Sequence, residues 1–354
     1  MNRPGDRKKW LWLAIVIFFS MQHLYAGNPD ADGLVQQGLN ALARGDYPAA
    51  VSLFQKAVAS DPGEVNYVLG LSNAFIQAGQ FADGQHALEL GISDFSDLAK
   101  QAQLWAALAD LHTAWARNLR RSYAYQEAIR QYLAAFEIDK AHRPQSAGTD
   151  LNGIGVSCKQ AGAYQQAIQY YQQALDWHRQ TKNRAGEAET LNNLGESYTF
   201  LGQFEKALAY LNGALPIRLE VKDRRGEGIT LNNIGNVYMG EGEHTKAIEY
   251  YEKALPILHQ AGAPESEVNS LTGLGGAYSM LSRFDKAAEI LGRALPLARQ
   301  SKNRQAESAI LNSLGATLER LGKYDEAVST LNQGLAITRE IKDQIGRASC
   351  RERV

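Results

Sequence analysis

The chain has 354 residues, of which 45% are hydrophobic and 9 are proline. That apolar share is too high for a disordered polypeptide, and scarce proline beside abundant Ala and Leu favours helix. The formal net charge is −1, with no basic stripe and no lysine run interleaved with aromatics, so the electrostatic footprint of a nucleic-acid-binding protein is missing.

Residues 1–27 come first. Arg3, Arg7, Lys8 and Lys9 make a positive start, Trp10 to Phe19 an unbroken apolar run, and Ser20 to Gly27 a more polar stretch ending in small residues. This is the layout of a secretory signal. It predicts an exported protein, periplasmic or in the cell envelope. The apolar run is short for a spanning helix, which needs about 20 residues. Cleavage after Ala26 would put Leu24 at the −3 position, an imperfect site. An uncleaved anchor over residues 10–26 and a buried N-terminal helix are the alternatives, and membrane contact is expected only with the anchor.

Residues 32–140 read as irregular helix pairs. Gly45-x-Tyr47-x-x-Ala50 and Gly79-x-Phe81-x-x-Gly84 stand 34 residues apart. A third pair is less regular, with one helix over Ala106–Leu119 and its partner over Tyr125–Ile138. Tyr125 and Ala128 match Tyr47 and Ala50. His142-Arg143-Pro144-Gln145 is then a break.

Residues 145–344 repeat strictly. Leu151-Asn-Gly-Ile-Gly155, Leu191-Asn-Asn-Leu-Gly195, Leu231-Asn-Asn-Ile-Gly235, Leu271-Thr-Gly-Leu-Gly275 and Leu311-Asn-Ser-Leu-Gly315 recur at an offset of 40. Tyr164, Phe204, His244, Phe284 and Tyr324 keep step, as do Ala167 to Ala327 and Leu175 to Leu335. Such internal periodicity identifies a solenoid. Within one unit, Leu191, Leu194, Gly195, Tyr198 and Leu201 fall on one helical face, and Phe204, Ala207, Leu208, Leu211, Ala214 and Leu215 on a second. Gly202 is placed to stop the first helix. Gly195 and Ala207 are small where the two helices must approach. Pro216, Pro256 and Pro296 fall inside second helices, where proline costs about 3 kcal/mol and bends the helix. Either each second helix is kinked there, or it breaks and restarts.

These residues resemble the tetratricopeptide repeat. Its pattern is met by Leu191, Leu194-Gly195, Tyr198, Gly202-x-Phe204, Ala207 and Ala214-Leu215. The resemblance implies an all-α, right-handed superhelix of about eight helix pairs. The 40-residue unit, longer than the usual 34, is similar to the repeats of kinesin light chain and of bacterial proteins that join such arrays to caspase-like peptidase (CHAT) domains or to histidine kinases. His244 for the aromatic, Ser282 for the glycine and Thr272-Gly273 for the asparagine pair depart from the pattern.

Stacked units leave a continuous groove, and the resemblance implies that first helices line its concave side. Asn152, Asn192, Glu196, Asn232, Asn236 and Asn312 are the candidate peptide-binding residues on that face. Asparagine both donates and accepts, so a column of them can pair with an extended backbone whatever its side chains. The competing role is structural, tying adjacent repeats together. We expect ligand contact for Asn192 and its equivalents, and the structural role for the second asparagines, Asn193 and Asn233. Lys159 and Arg320 lie too far apart in the array to make a carboxylate clamp. The Lys-Asn/Asp-Arg clusters at 182–184, 222–224 and 302–304 are read as solvated turns.

No histidine pair has metal-ligand spacing, and no phosphate loop or nucleophile elbow is present. Cys158 reads as a small core residue. No catalytic residue, metal or cofactor is therefore expected, and the partner is a protein or peptide. The last ten residues, Ile345 to Val354, read IGRASCRERV. They match, in one frame, the translated reverse complement of a common short-read sequencing adapter and are expected to be an artefact on a fragment. Two functions follow: an interaction scaffold, or the recruiting or regulatory half of a longer enzyme or sensor.

Overall fold

The computed structural model describes residues 29–351, with side chains through residue 341. The predicted signal segment, and the side chains of the predicted artefact, lie outside the described residues. Among the described residues there are sixteen helices and no strand. They are α1 (Pro29–Arg44), α2 (Tyr47–Ser60), α3 (Val65–Ala78), α4 (Phe81–Asp94), α5 (Leu98–Arg121), α6 (Tyr125–His142), α7 (Pro144–Gln160), α8 (Tyr164–Gln180), α9 (Arg184–Phe200), α10 (Phe204–Glu220), α11 (Arg224–Glu241), α12 (His244–Gln260), α13 (Pro264–Met280), α14 (Phe284–Gln300), α15 (Arg304–Arg320) and α16 (Tyr324–Arg351). They form eight consecutive antiparallel pairs, the solenoid predicted from the periods. None is long and apolar enough to cross a membrane.

The described residues divide into two compact units, 29–118 with 134–143, and 119–133 with 144–351. In the first unit, the core of α1–α3 centres on Phe54, which is fully buried. A Cβ on Gly38 or Gly70 would come within 2.9 or 2.3 Å of the Phe54 ring, so both helices flanking α2 are glycine where they meet it. Arg143, the single residue between α6 and α7, bonds Asp139 at 2.8 Å and Asp110 at 2.9 Å.

The second unit carries the strict repeat, and its turns explain the charged clusters. Second helices α8, α10, α12 and α14 are each followed by a residue in the left-handed region: Lys182 (φ 55°), Lys222 (57°), Gly262 (61°) and Lys302 (54°). After the three lysines, the next residue caps the following helix, whereas Ala263 after Gly262 has no side chain to do so. Asn183 Oδ1 accepts from Gly186 N at 2.9 Å, Asp223 from Gly226 N at 2.8 Å, and Asn303 from Ala306 N at 3.1 Å. The arginine then clamps the first turn: Arg304 reaches Glu307 at 2.7 Å and Glu340 at 2.6 Å. Each of the three residue types thus does one job: stop, cap or clamp.

Helices α10, α12 and α14 run unbroken through Pro216, Pro256 and Pro296, so the break-and-restart alternative does not apply. Each proline sits near the C-terminal end, where one lost backbone hydrogen bond is offset by packing of the helix's buried alanines and leucines.

Candidate functional site

Curvature decides which face is a groove. Successive first helices (α7, α9, α11, α13, α15) pack against one another, whereas successive second helices make no comparable backbone approach. The first helices therefore lie on the shorter, concave side. The unit curls far enough that Gln305 Nε2, at the start of α15, comes within 3.4 Å of Tyr123 Oη.

The asparagine column runs along this side, and its oxygens are already engaged. Asn192 Oδ1 accepts from Asn233 Nδ2 and from Thr230 Oγ1, both at 3.1 Å. Asn152 Oδ1 accepts in the same way from Asn193 at 3.0 Å and Thr190 at 3.4 Å. Asn232 Oδ1 accepts from Ser270 Oγ at 2.8 Å. All three are buried. The second asparagines, Asn193 and Asn233, thus donate across the repeat boundary, and the first ones supply the acceptors in the same bonds.

The amide nitrogens are engaged in part. Asn152 Nδ2 donates to Glu189 Oε1 at 3.1 Å, and Asn232 Nδ2 to Asn233 Oδ1 at 3.3 Å. Asn192 Nδ2 has no hydrogen bond among the described residues. Asn312, on the last described first helix, is exposed. Glu196 is ion-paired with Lys159 at 2.6 Å, half-buried between adjacent first helices. Asn236 is exposed, and its Oδ1 accepts from Tyr251 Oη at 2.7 Å. Between Thr272 and Ser279 the floor is open: a Cβ on Gly276 would meet nothing within 4 Å.

Three features of this surface escaped the sequence reading. The hydroxyls Thr190, Thr230 and Ser270 complete the inter-repeat tie; their signal was a column of small hydroxyl residues at the same period of 40. Gly273, where Asn193 and Asn233 have counterparts, is glycine because a Cβ there would fall 2.6 Å from Tyr251 Cζ. Gly153 does the same for Tyr132, at 2.5 Å from its Cε1. At Gly153 and Gly273 a tyrosine ring of the preceding second helix thus takes the space, although Asn193 is kept after Tyr171 at the same register.

Titratable groups here are structural. Cys158 is fully buried, and burial pushes its thiol up to about 11, away from thiolate chemistry. His178 is buried between Gly148 and Gly186, its Nδ1 unpartnered, and burial lowers its pKa. No group of three or more His, Cys, Asp or Glu side chains able to hold a metal ion occurs among the described residues.

An array of helix pairs with a concave surface of polar side chains is a protein-interaction scaffold. The chain belongs to the tetratricopeptide repeat family: models of that repeat match residues 41–111, 145–220, 226–300 and 310–345, well over half of its length. A comparison with curated protein sequences found no match. Among solved structures, a Rap protein complexed with Competence and Sporulation Factor is 14% identical with a TM-score of 0.56, over 90% of this chain and 100% of that one. A signal transduction ATPase with numerous domains from Pyrococcus horikoshii, described as having a tetratricopeptide repeat sensor, is 15% identical with a TM-score of 0.59, over 97% of this chain and 55% of that one. BtubC (BKLC) from P. vanneervenii is 17% identical with a TM-score of 0.51, over 63% and 92%. At these identities the likeness is one of fold.

Proposed function

We propose that the concave face of the second unit holds an extended peptide segment of a partner protein. The observation that carries this is the inward placement of the first helices, with Asn192 Nδ2 unpaired and Asn236 and Asn312 exposed along them. With their oxygens engaged, Asn152, Asn192 and Asn232 act as donors rather than as two-way partners, so the peptide contributes its carbonyl oxygens. Glu196 with Lys159 borders one end, and the open floor at Gly276 admits a side chain. The Rap neighbour, complexed with a factor, supports the reading by analogy of fold alone.

A photo-crosslinking residue placed at Gly276 tests it in cells. Capture of a partner is expected there, and none at Leu219 on the second helix α10. Capture at Leu219 alone would overturn the reading. The N-terminal Arg3–Phe19 layout supports an envelope location, which fractionation checks. A second reading, the array as recruiting half of a longer enzyme or sensor, draws on the P. horikoshii protein, whose repeat part is called a sensor. Sequencing the locus past codon 344 tests it: an in-frame peptidase or kinase supports it, and an early stop codon ends it.

A further inference from the structure

On α9, Glu189, Asn192 and Glu196 follow one another at one-turn steps along the concave face. Glu196 is neutralised by Lys159 of α7 at 2.6 Å. Glu189 is exposed, and its carboxylate meets a neutral group, Asn152 Nδ2, which donates to Oε1 at 3.1 Å. Among the described residues no cation is ion-paired with it. Arg120, at the same end of the array, bonds Gln160 Oε1 at 3.0 Å and Tyr132 Oη at 3.3 Å instead. On α11 and α13 the equivalent positions are uncharged: Ile229 and Asn269 stand where Glu189 does, and Asn236 and Gly276 where Glu196 does. Between the two carboxylates, Asn192 is only 6% exposed. Thr230 and Asn233 donate to its Oδ1 and so orient the amide. Its Nδ2 has no hydrogen bond among the described residues, yet it is not sealed in the core. A donor set this deep is costly without an acceptor, and a carbonyl oxygen arriving from the groove removes that cost.

We propose, resting on the peptide-holding groove above, that Glu189 and Asn192 form a subsite for a lysine or arginine residue of the bound segment. The main-chain carbonyl oxygen of that residue accepts from Asn192 Nδ2, and its ammonium or guanidinium group pairs with the Glu189 carboxylate. Side chains one turn apart on a helix are separated by about 5–6 Å at Cβ, so one residue with a long side chain spans both groups. An aspartate or glutamate in its place would meet Glu189 as a like charge and is disfavoured. Lys159 does not compete for Glu189, because Glu196 holds it. With the uncompensated charge confined to α9, the part of the segment over α11 and α13 needs no charged side chain. The basic residue therefore sets the register of the segment in the groove.

The test uses the full chain, immobilised, and as probe a displayed library of short random peptides. Enrichment of sequences with Lys or Arg at one position is expected. Gly276→Trp, which fills the groove floor, should abolish it. Glu189→Gln keeps the acceptor for Asn152 and removes only the charge, with helicity unchanged by circular dichroism. This variant should still enrich peptides, but without the basic position. For the most enriched peptide, labelled with fluorescein, Glu189→Gln should weaken binding by about five- to tenfold. The same peptide with norleucine for its basic residue should bind parent and variant equally. Enriched peptides that lack a basic position, or a basic position that persists on Glu189→Gln, overturn the subsite and leave the groove standing. No enrichment on the parent, or enrichment that Gly276→Trp does not reduce, overturns both.

Discussion

The phenol of Tyr251 donates a 2.7 Å hydrogen bond to Oδ1 of Asn236. Its ring lies within 2.7 Å of where a Cβ on Gly235 would stand, and within 2.6 Å of one on Gly273. One core side chain therefore reaches through two helices to hold a groove-facing amide. Tyr251→Phe keeps the ring and removes the hydroxyl. We expect a loss of about 0.5–1.5 kcal/mol in denaturant unfolding, the net value of one such bond. Partner capture at the groove should change with it, since Asn236 is then held only by its 3.5 Å bond to Asn233 Oδ1.

The same ring makes Gly273→Asn unfavourable, although asparagine is what the repeat carries at Asn193 and Asn233. An overpacked side chain at this point should cost about 1–3 kcal/mol. Tyr251→Leu, which reproduces the Leu211 arrangement, should recover most of that loss in the double variant. A double-mutant cycle on unfolding free energy measures the coupling; additive effects would mean that the ring is not what excludes the asparagine.

Ser282 holds a φ of 56°, the conformation that Gly202 and Gly242 adopt at the same turn. A left-handed backbone costs a residue with a Cβ roughly 1–2 kcal/mol. Ser282→Gly should raise stability by somewhat less than that, because glycine also loses more entropy on folding. Thermal unfolding reads the gain directly.

His178 has no room or partner for a second proton: Gly148 and Gly186 flank its ring, its Nδ1 is unpartnered, and burial lowers its pKa below the ordinary 6.5. The unfolded chain therefore binds a proton there before the folded one does. The stability the neutral ring contributes is intact above pH 6.5 and falls as pH drops below that value towards the folded pKa. Leu258 occupies the same register in a later repeat. His178→Leu should flatten stability against pH below 6.5 while leaving it undiminished at pH 8. Urea titrations at several pH values follow the difference.

The period of 40 made the fold legible, because each unit buries its apolar face only against a neighbour and so must repeat the same residues at the same places. Gly195, Ala207 and Gly202 could be assigned their roles from one helix pair. The Lys-Asn/Asp-Arg turns read as solvent-facing, yet Lys182 proved a left-handed stop and Asn183 a cap; local chemistry was visible there but its division of labour was not. The asparagine column shows the limit. Its residues and spacing were evident in the chain, and so was their capacity to donate and accept. Which half of each amide is engaged depends on the neighbour 38 to 41 residues away, and on how far the next first helix leans over it. Curvature sets that distance, and curvature comes from packing summed over many side chains. The sequence by itself determined the helix pairs, their stops and caps, and the stacking order. Only the tertiary structure decided that the Asn192 oxygen is engaged across the repeat boundary while its nitrogen is not. A hydrogen bond or a buried surface belongs to two segments at once, and its state is set by where the second one comes to lie.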